Sequence, residues 1–246
     1  MSLRNPSPMT VVGVDACKTG WCAVTIRQAG NLYRVAESAI YSSFKQLLAR
    51  DVDLICIDIP IGLLDQPGQR SCDTAARQML GRPRMSSVFP PPCRSAIRFV
   101  ADYVAASQTN LQVTGKKLTK QSFGIMPKIA DVDQHMTPDR QSHIKEVHPE
   151  VCFWALNNRR PMSWNKIMPE GSRERWRTLM GILPFLSPEP KLPPEIGKGC
   201  ALDDFIDALA AAWTAICIVH GSGTRIPQEP KVDQKGLRME MWLPPV

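Results

Sequence analysis

Five carboxylates stand where chemistry could use them. Asp15 and Asp58 each end an apolar run, Glu150 lies in His148-Pro149-Glu150, and Asp204 and Asp207 lie in Asp203-Asp204-Phe205-Ile206-Asp207-Ala208. They come from distant parts of the chain, so only the fold can bring them together. An all-oxygen donor set suits a hard divalent cation, which takes a few carboxylates and completes its shell with water and substrate phosphate. Two such ions ~3.5 to 4 Å apart can clamp a phosphodiester, one activating the attacking water and the other steadying the leaving oxygen. The expected metal is therefore Mg²⁺ or Mn²⁺, held by Asp15, Asp58, Asp204 and Asp207, with Glu150 completing the catalytic set. A plainer role competes at the last cluster, because Asp caps helix starts and complements the positive end of the helix dipole.

The elements that must position these groups can be read locally. Asp203 to Val219, closed by Gly221, has helical character. At ~3.6 residues per turn, Asp204 and Asp207 share a face, as do Asp203 and Asp207. The small side chains of Ala208 and Ala210 to Ala212 suit close packing against other backbone. Thr10 to Asp15 is an apolar, β-branched strand, returned by Trp21 to Ile26 and followed by a third strand over roughly Leu32 to Ile40. Ser42 and Ser43 can cap a short helix through Leu48, and Asp53 to Pro60 reads as a buried strand stopped by Pro60. The order β-β-β-α-β predicts an α/β fold with a mixed sheet, and ligands gather at the strand ends of such sheets.

Residues from about 61 to 144 are too long for a loop and read as a helical insertion over one edge of the sheet. One helix carries Arg70, Asp73 and Arg77, with Asp73 and Arg77 spaced for a surface ion pair, and another covers about Ser95 to Ser107. Lys145 to Trp154 predicts a short strand turning sharply at Pro149. Asn157 to Gly171 reads as loop, Ser172 to Leu183 as helix, and the stretch beyond Gly221 carries no strong regular signal.

With 246 residues, 43% of them apolar, the chain can bury one large core, and residues 1–246 are expected to form one domain with its insertion. Met1 to Pro8 lacks the pattern of an export signal and no apolar run is long enough to cross a membrane, so a cytoplasmic protein is expected. The eight cysteines include no C-x-x-C pair, which argues against structural zinc and for buried thiols. The net charge of +7 is unevenly spread: residues 61–128 hold ten Lys/Arg against three Asp/Glu. A local basic excess favours a nucleic-acid partner, although a solvated basic surface explains it too.

Gly13-Val14-Asp15, Asp58-Ile59-Pro60-Ile61-Gly62, Arg70 with Cys72-Asp73 and Arg77, Ser87-Val88-Phe89-Pro90, Lys128, His148-Pro149-Glu150 and Asp207-Ala208-Leu209 together resemble the family called domain of unknown function 429. The resemblance runs from about Thr10 to Val219. It implies a ribonuclease H-like fold, with a five-stranded sheet in the order 3-2-1-4-5 and helices on both faces, and the activity of a metal-dependent nuclease. Asp204 to Ala210 is similar to the closing helix of RuvC-type junction resolvases, where two acids three apart complete a metal site, and Asp15 matches the acid of the first strand. Lys18, Arg70, Arg77, Arg94, Lys128 and His148 are the expected contacts to an anionic substrate, although a histidine such as His148 is more commonly structural.

Two other functions fit the same elements. A ribonuclease H-like scaffold could bind nucleic acid or a small anion without catalysis. A phosphotransferase of the actin and sugar-kinase type shares the core sheet but needs glycine-rich phosphate loops, and in Asp15-Ala16-Cys17-Lys18-Thr19-Gly20 the glycine comes late.

Overall fold

The computed structural model describes residues 9–30 and 32–246. The reading of Met1 to Pro8, and Asn31 of the second turn, lie outside them. Three antiparallel strands open the chain: β1 (Met9–Cys17), β2 (Gly20–Ala29) and β3 (Leu32–Tyr41). After the short helix α1 (Phe44–Leu48), β4 (Leu54–Ile57) returns beside β1 and parallel to it, with Val14 opposite Ile57. The insertion follows as α2 (Ser71–Leu80), α3 (Tyr103–Thr114), α4 (Lys120–Gly124) and α5 (Met126–Asp133). β5 (Ile144–Glu146) then pairs parallel with β4, so the sheet order is β3-β2-β1-β4-β5. This is the mixed α/β arrangement expected of a ribonuclease H-like fold.

The central strands bury both faces. On one side Val11, Cys56 and Val24 pack with α6 (Pro149–Leu156), α7 (Pro169–Met180) and α8 (Leu202–Val219). On the other, Val12, Val14 and Ile57 pack with Phe44 of α1 and with Ile129 and Val132 of α5. Strand side chains alternate between faces, so one apolar run supplies both cores. α8 lies directly on β1 because Gly13 has no side chain: a Cβ there would stand 2.0 Å from the Ala208 carbonyl oxygen and 2.1 Å from the Ala212 nitrogen. The alanine run that suited backbone packing is the surface that meets it.

Some expectations change. The helix expected over Ser95 to Ser107 is broken: a 3-10 turn covers Ala96–Phe99, and α3 starts afresh at Tyr103, where Asp102 Oδ1 accepts from Ala105 N at 3.0 Å. Ser43 precedes α1 without a side-chain cap, and Asp131 Oδ2 instead accepts from Phe44 N at 2.8 Å. α7 begins at Pro169, three residues before the expected Ser172. The tail forms a two-stranded ribbon, β6 (Thr224–Ile226) with β7 (Met241–Leu243), whose strands are too short to show a period. All eight thiols are free and buried, and no helix among the described residues is long and apolar enough to cross a membrane.

Candidate active site

Three strand ends and two helices build a single cleft. Asp15 is carried near the end of β1, and Asp58, just past β4, donates its backbone N to Val14 O at 3.0 Å. The two acids therefore leave adjacent parallel strands at the same edge. Val147 N donates to Ile57 O at 3.0 Å, which brings the end of β5 alongside. Pro149 then opens α6 and sets Glu150 in its first turn. Ala208 rests on Gly13, so Asp207, one residue earlier on α8, is held over the strand ends. Asp15, Asp58, Glu150, Asp204 and Asp207 all line this cleft, whose volume is about 450 Å³.

Burial dominates its electrostatics, and the crowding of like charge adds to it. Burial is the first cause raising the Asp15 carboxyl well above its ordinary value, and the charges of Asp58 and Asp207 raise it further against the pull of Lys166. Asp207, only 2% exposed, is pushed up to about 6, first by burial, then opposed by Lys166 and reinforced by Asp58 and Glu150. Asp58 is also raised by burial, with His148 and Lys166 opposing. Asp204, raised by burial too, accepts from Ala201 N at 3.0 Å, so it caps α8 and lines the cleft at once. Glu150 pairs through Oε1 with Arg175, while its Oε2 is buried with no hydrogen-bond partner.

The sequence reading missed the cation at the centre of this group. Lys166 lies in the segment read as featureless loop, yet its Nζ is 2.6 Å from Asp207 Oδ2 and 3.7 Å from Asp203 Oδ2. Glu174 accepts from Ser163 N and Trp164 N at 2.8 and 3.0 Å, and Arg175 donates to Trp164 O and Gly171 O at 3.1 Å each, clamping the loop to α7. A lone lysine between Asn165 and Ile167 has no period or motif to mark it. Arg175 falls in the stretch read only as the helix Ser172 to Leu183, and its side chain is 1% exposed.

The expected substrate contacts divide. His148 lines the cleft, with Nε2 3.4 Å from Ser87 O and Nδ1 buried and unpartnered. Lys18 is exposed on the β1–β2 turn, outside the cleft lining. Lys128 donates to Gly20 O at 2.5 Å and lies over the Trp21 ring. Arg94 pairs with Asp65, Asp133 and Asp233. Arg70 is buried between Asp73 and Glu146, and Arg77 gives its Nε to Val88 O at 2.7 Å, so the surface pair expected between Asp73 and Arg77 is replaced by a buried one with Arg70. Four of the insertion's basic residues are thus engaged inside the protein. Two of the acids that balance Arg94 come from outside residues 61–128, which is why a charge count by segment overstated the free positive surface.

A second group adjoins the first, with Asp73 and Glu146 in the lining of the same cleft. Cys72, Asp73 and Glu146 bring one ligand atom each within 4.8 Å of one another, all buried, and among the described residues this group could hold a metal ion. The Arg70 guanidinium already bridges Asp73 and Glu146, and Glu146 also accepts from Ile61 N at 2.7 Å. Burial, opposed by Arg70, puts the Glu146 carboxyl at about 8. The three acids Asp15, Asp58 and Asp207 do not close to that spacing.

The sheet order and the carboxylate-lined cleft at its strand ends define an α/β protein of ribonuclease H-like architecture. The chain matches the family described as protein of unknown function (DUF429) over residues 13–232, and it belongs to that family. Neither the curated proteins nor the solved structures gave a match.

Proposed function

We propose that this protein hydrolyses phosphodiester bonds in nucleic acid, using a divalent ion held by Asp15, Asp58 and Asp207, with Asp204 and Glu150 completing the set. The observation that carries the reading is the convergence of acids from β1, β4, α6 and α8 on one open cleft. The donors fit such an ion: all are carboxylate oxygens, burial and then mutual repulsion raise their proton affinity, and Glu150 Oε2 is buried without a partner. Bound there, Mg²⁺ or Mn²⁺ would polarise the phosphorus–oxygen bond and activate water.

The chain's own residues bind and orient. Arg84, tied through Nε to Met162 O at 2.8 Å, lines the same cleft as the acids and would offer its guanidinium to a phosphate. Arg82 lines the adjoining groove. Replacing Arg82 and Arg84 with Ala should weaken binding of an oligonucleotide and flatten the log–log salt dependence by up to ~1.8, at ~0.9 for each phosphate that is no longer neutralised. Unchanged affinity across several salt concentrations would return both to the solvated surface. Cleavage of single- and double-stranded DNA and RNA with Mg²⁺ or Mn²⁺, abolished by chelation, tests the reaction itself. No cleavage of any of these, with no metal bound, would remove it.

A non-catalytic scaffold is favoured by one observation, the Lys166–Asp207 pair, which supplies the cluster with a cation of its own. The phosphotransferase reading loses support, because Lys18-Thr19 forms a tight two-residue turn with Cys17 paired to Gly20, leaving no open phosphate loop there.

A further inference from the structure

Lys166 lies where a metal would compete for the same oxygen. An ammonium nitrogen 2.6 Å from Asp207 Oδ2 occupies an approach that a divalent ion needs, since such ions bind oxygen at ~2.0 to 2.6 Å. Two cations this close in a partly buried cleft repel strongly, so they exchange rather than share. Lys166 also leaves the cluster only partly neutralised: Glu150, 7% exposed and lining the same cleft, keeps Oε2 buried without a partner.

We propose that Lys166 is the built-in counter-cation of this cleft, holding Asp207 in the metal-free protein and withdrawing when a divalent ion enters. The inference rests on the metal reading above and adds how entry is controlled. The route of exchange follows from the loop. Glu174 and Arg175 fix the backbone around Trp164, and Gly171 packs so closely that a Cβ there would stand 1.9 Å from Asn165 O. The backbone is thus clamped, whereas the Lys166 side chain is 36% exposed on a flexible stem. Exchange is a swing of one side chain toward solvent and needs no opening of the loop.

The test uses Lys166→Met, which removes the charge, and Lys166→Gln, which keeps a donor for Asp207 without it. Free Mn²⁺ is measured by electron paramagnetic resonance, without substrate, on protein whose fold is checked by circular dichroism. Both variants should bind Mn²⁺ at least tenfold more tightly than the native protein. They should melt lower than native in chelator and gain more on Mn²⁺ addition. If the native protein binds Mn²⁺ and the folded variants bind no tighter, Lys166 is not a competitor and only this inference falls. If native and variants all fail to bind, the metal reading falls and takes this one with it. Should Lys166→Met not fold, Lys166→Gln alone decides by the same comparison.

Discussion

Asp15→Asn is expected to raise the melting temperature of the metal-free protein at pH 8 by a few degrees and to cut metal-dependent cleavage by at least a hundredfold. Asp15 is buried, and its neighbours Asp58 and Asp207 add repulsion to the cost of desolvation. Removing its charge relieves that cost, as happens at functional sites that trade stability for chemistry. The pH dependence has a fixed sign. Asp207 moves from 3.8 to about 6 on folding, so between those values the folded protein binds more protons than the unfolded chain. The contribution of Asp207 to stability therefore falls as pH rises through that window, by up to about 3 kcal/mol for ~2 units. Asp15 and Asp58 shift in the same direction. Thermal melts at pH 4.5, 6 and 8 should show this fall in native protein, a smaller one in Asp15→Asn, and its reversal by Mn²⁺. Asp207→Asn should stabilise less than Asp15→Asn, because the relief from burial and repulsion is offset by stripping Lys166 of its nearest partner. The loss of rate follows from losing a metal ligand, since ~3 kcal/mol of transition-state stabilisation is already about a hundredfold. An Asp15→Asn protein that unfolds, or that cleaves as fast as native, would show the carboxylate to be structural.

Gly13→Ala should be among the most damaging single methyls in the protein. Elsewhere Gly→Ala often stabilises by ~0.4 to 1 kcal/mol through the unfolded chain. Here the new carbon would lie 2.0 to 2.1 Å from backbone atoms of Ala208 and Ala212, and backbone cannot rotate aside as a side chain can. α8 must lift from β1, unpacking Leu209, Ala211 and their neighbours in the core and displacing Asp207 from the strand ends. A loss of at least about 3 kcal/mol is expected, at the upper end for overpacking. Gly124→Ala, at the end of α4 with open space around its Cα, is the control and should be close to neutral. Urea denaturation of the two variants measures the difference. Equal midpoints would mean that α8 does not rest on β1 at Gly13.

The legible part of this protein was its framework. Val11, Val12 and Val14 announce a strand buried on both faces, and the alanines of α8 a surface for close backbone contact. Acids at the ends of two apolar strands and on one helix face could be grouped because strand ends and helix turns have fixed geometry. What was not legible depended on partners far along the chain. Arg94 reads as free positive charge until Asp133 and Asp233 fold against it, and Arg70 until Glu146 does. Lys166 has no local signal at all. Its position is set by hydrogen bonds to a helix that begins after it, and its partner Asp207 lies 41 residues away.

The most direct test of the carboxylate centre is anomalous diffraction from a crystal soaked in Mn²⁺. The expected result is a peak within ~2.0 to 2.6 Å of carboxylate oxygens of Asp15, Asp58 and Asp207, with the Lys166 ammonium swung away from Asp207. A peak instead between Cys72, Asp73 and Glu146, or no peak with Lys166 still on Asp207, would contradict it.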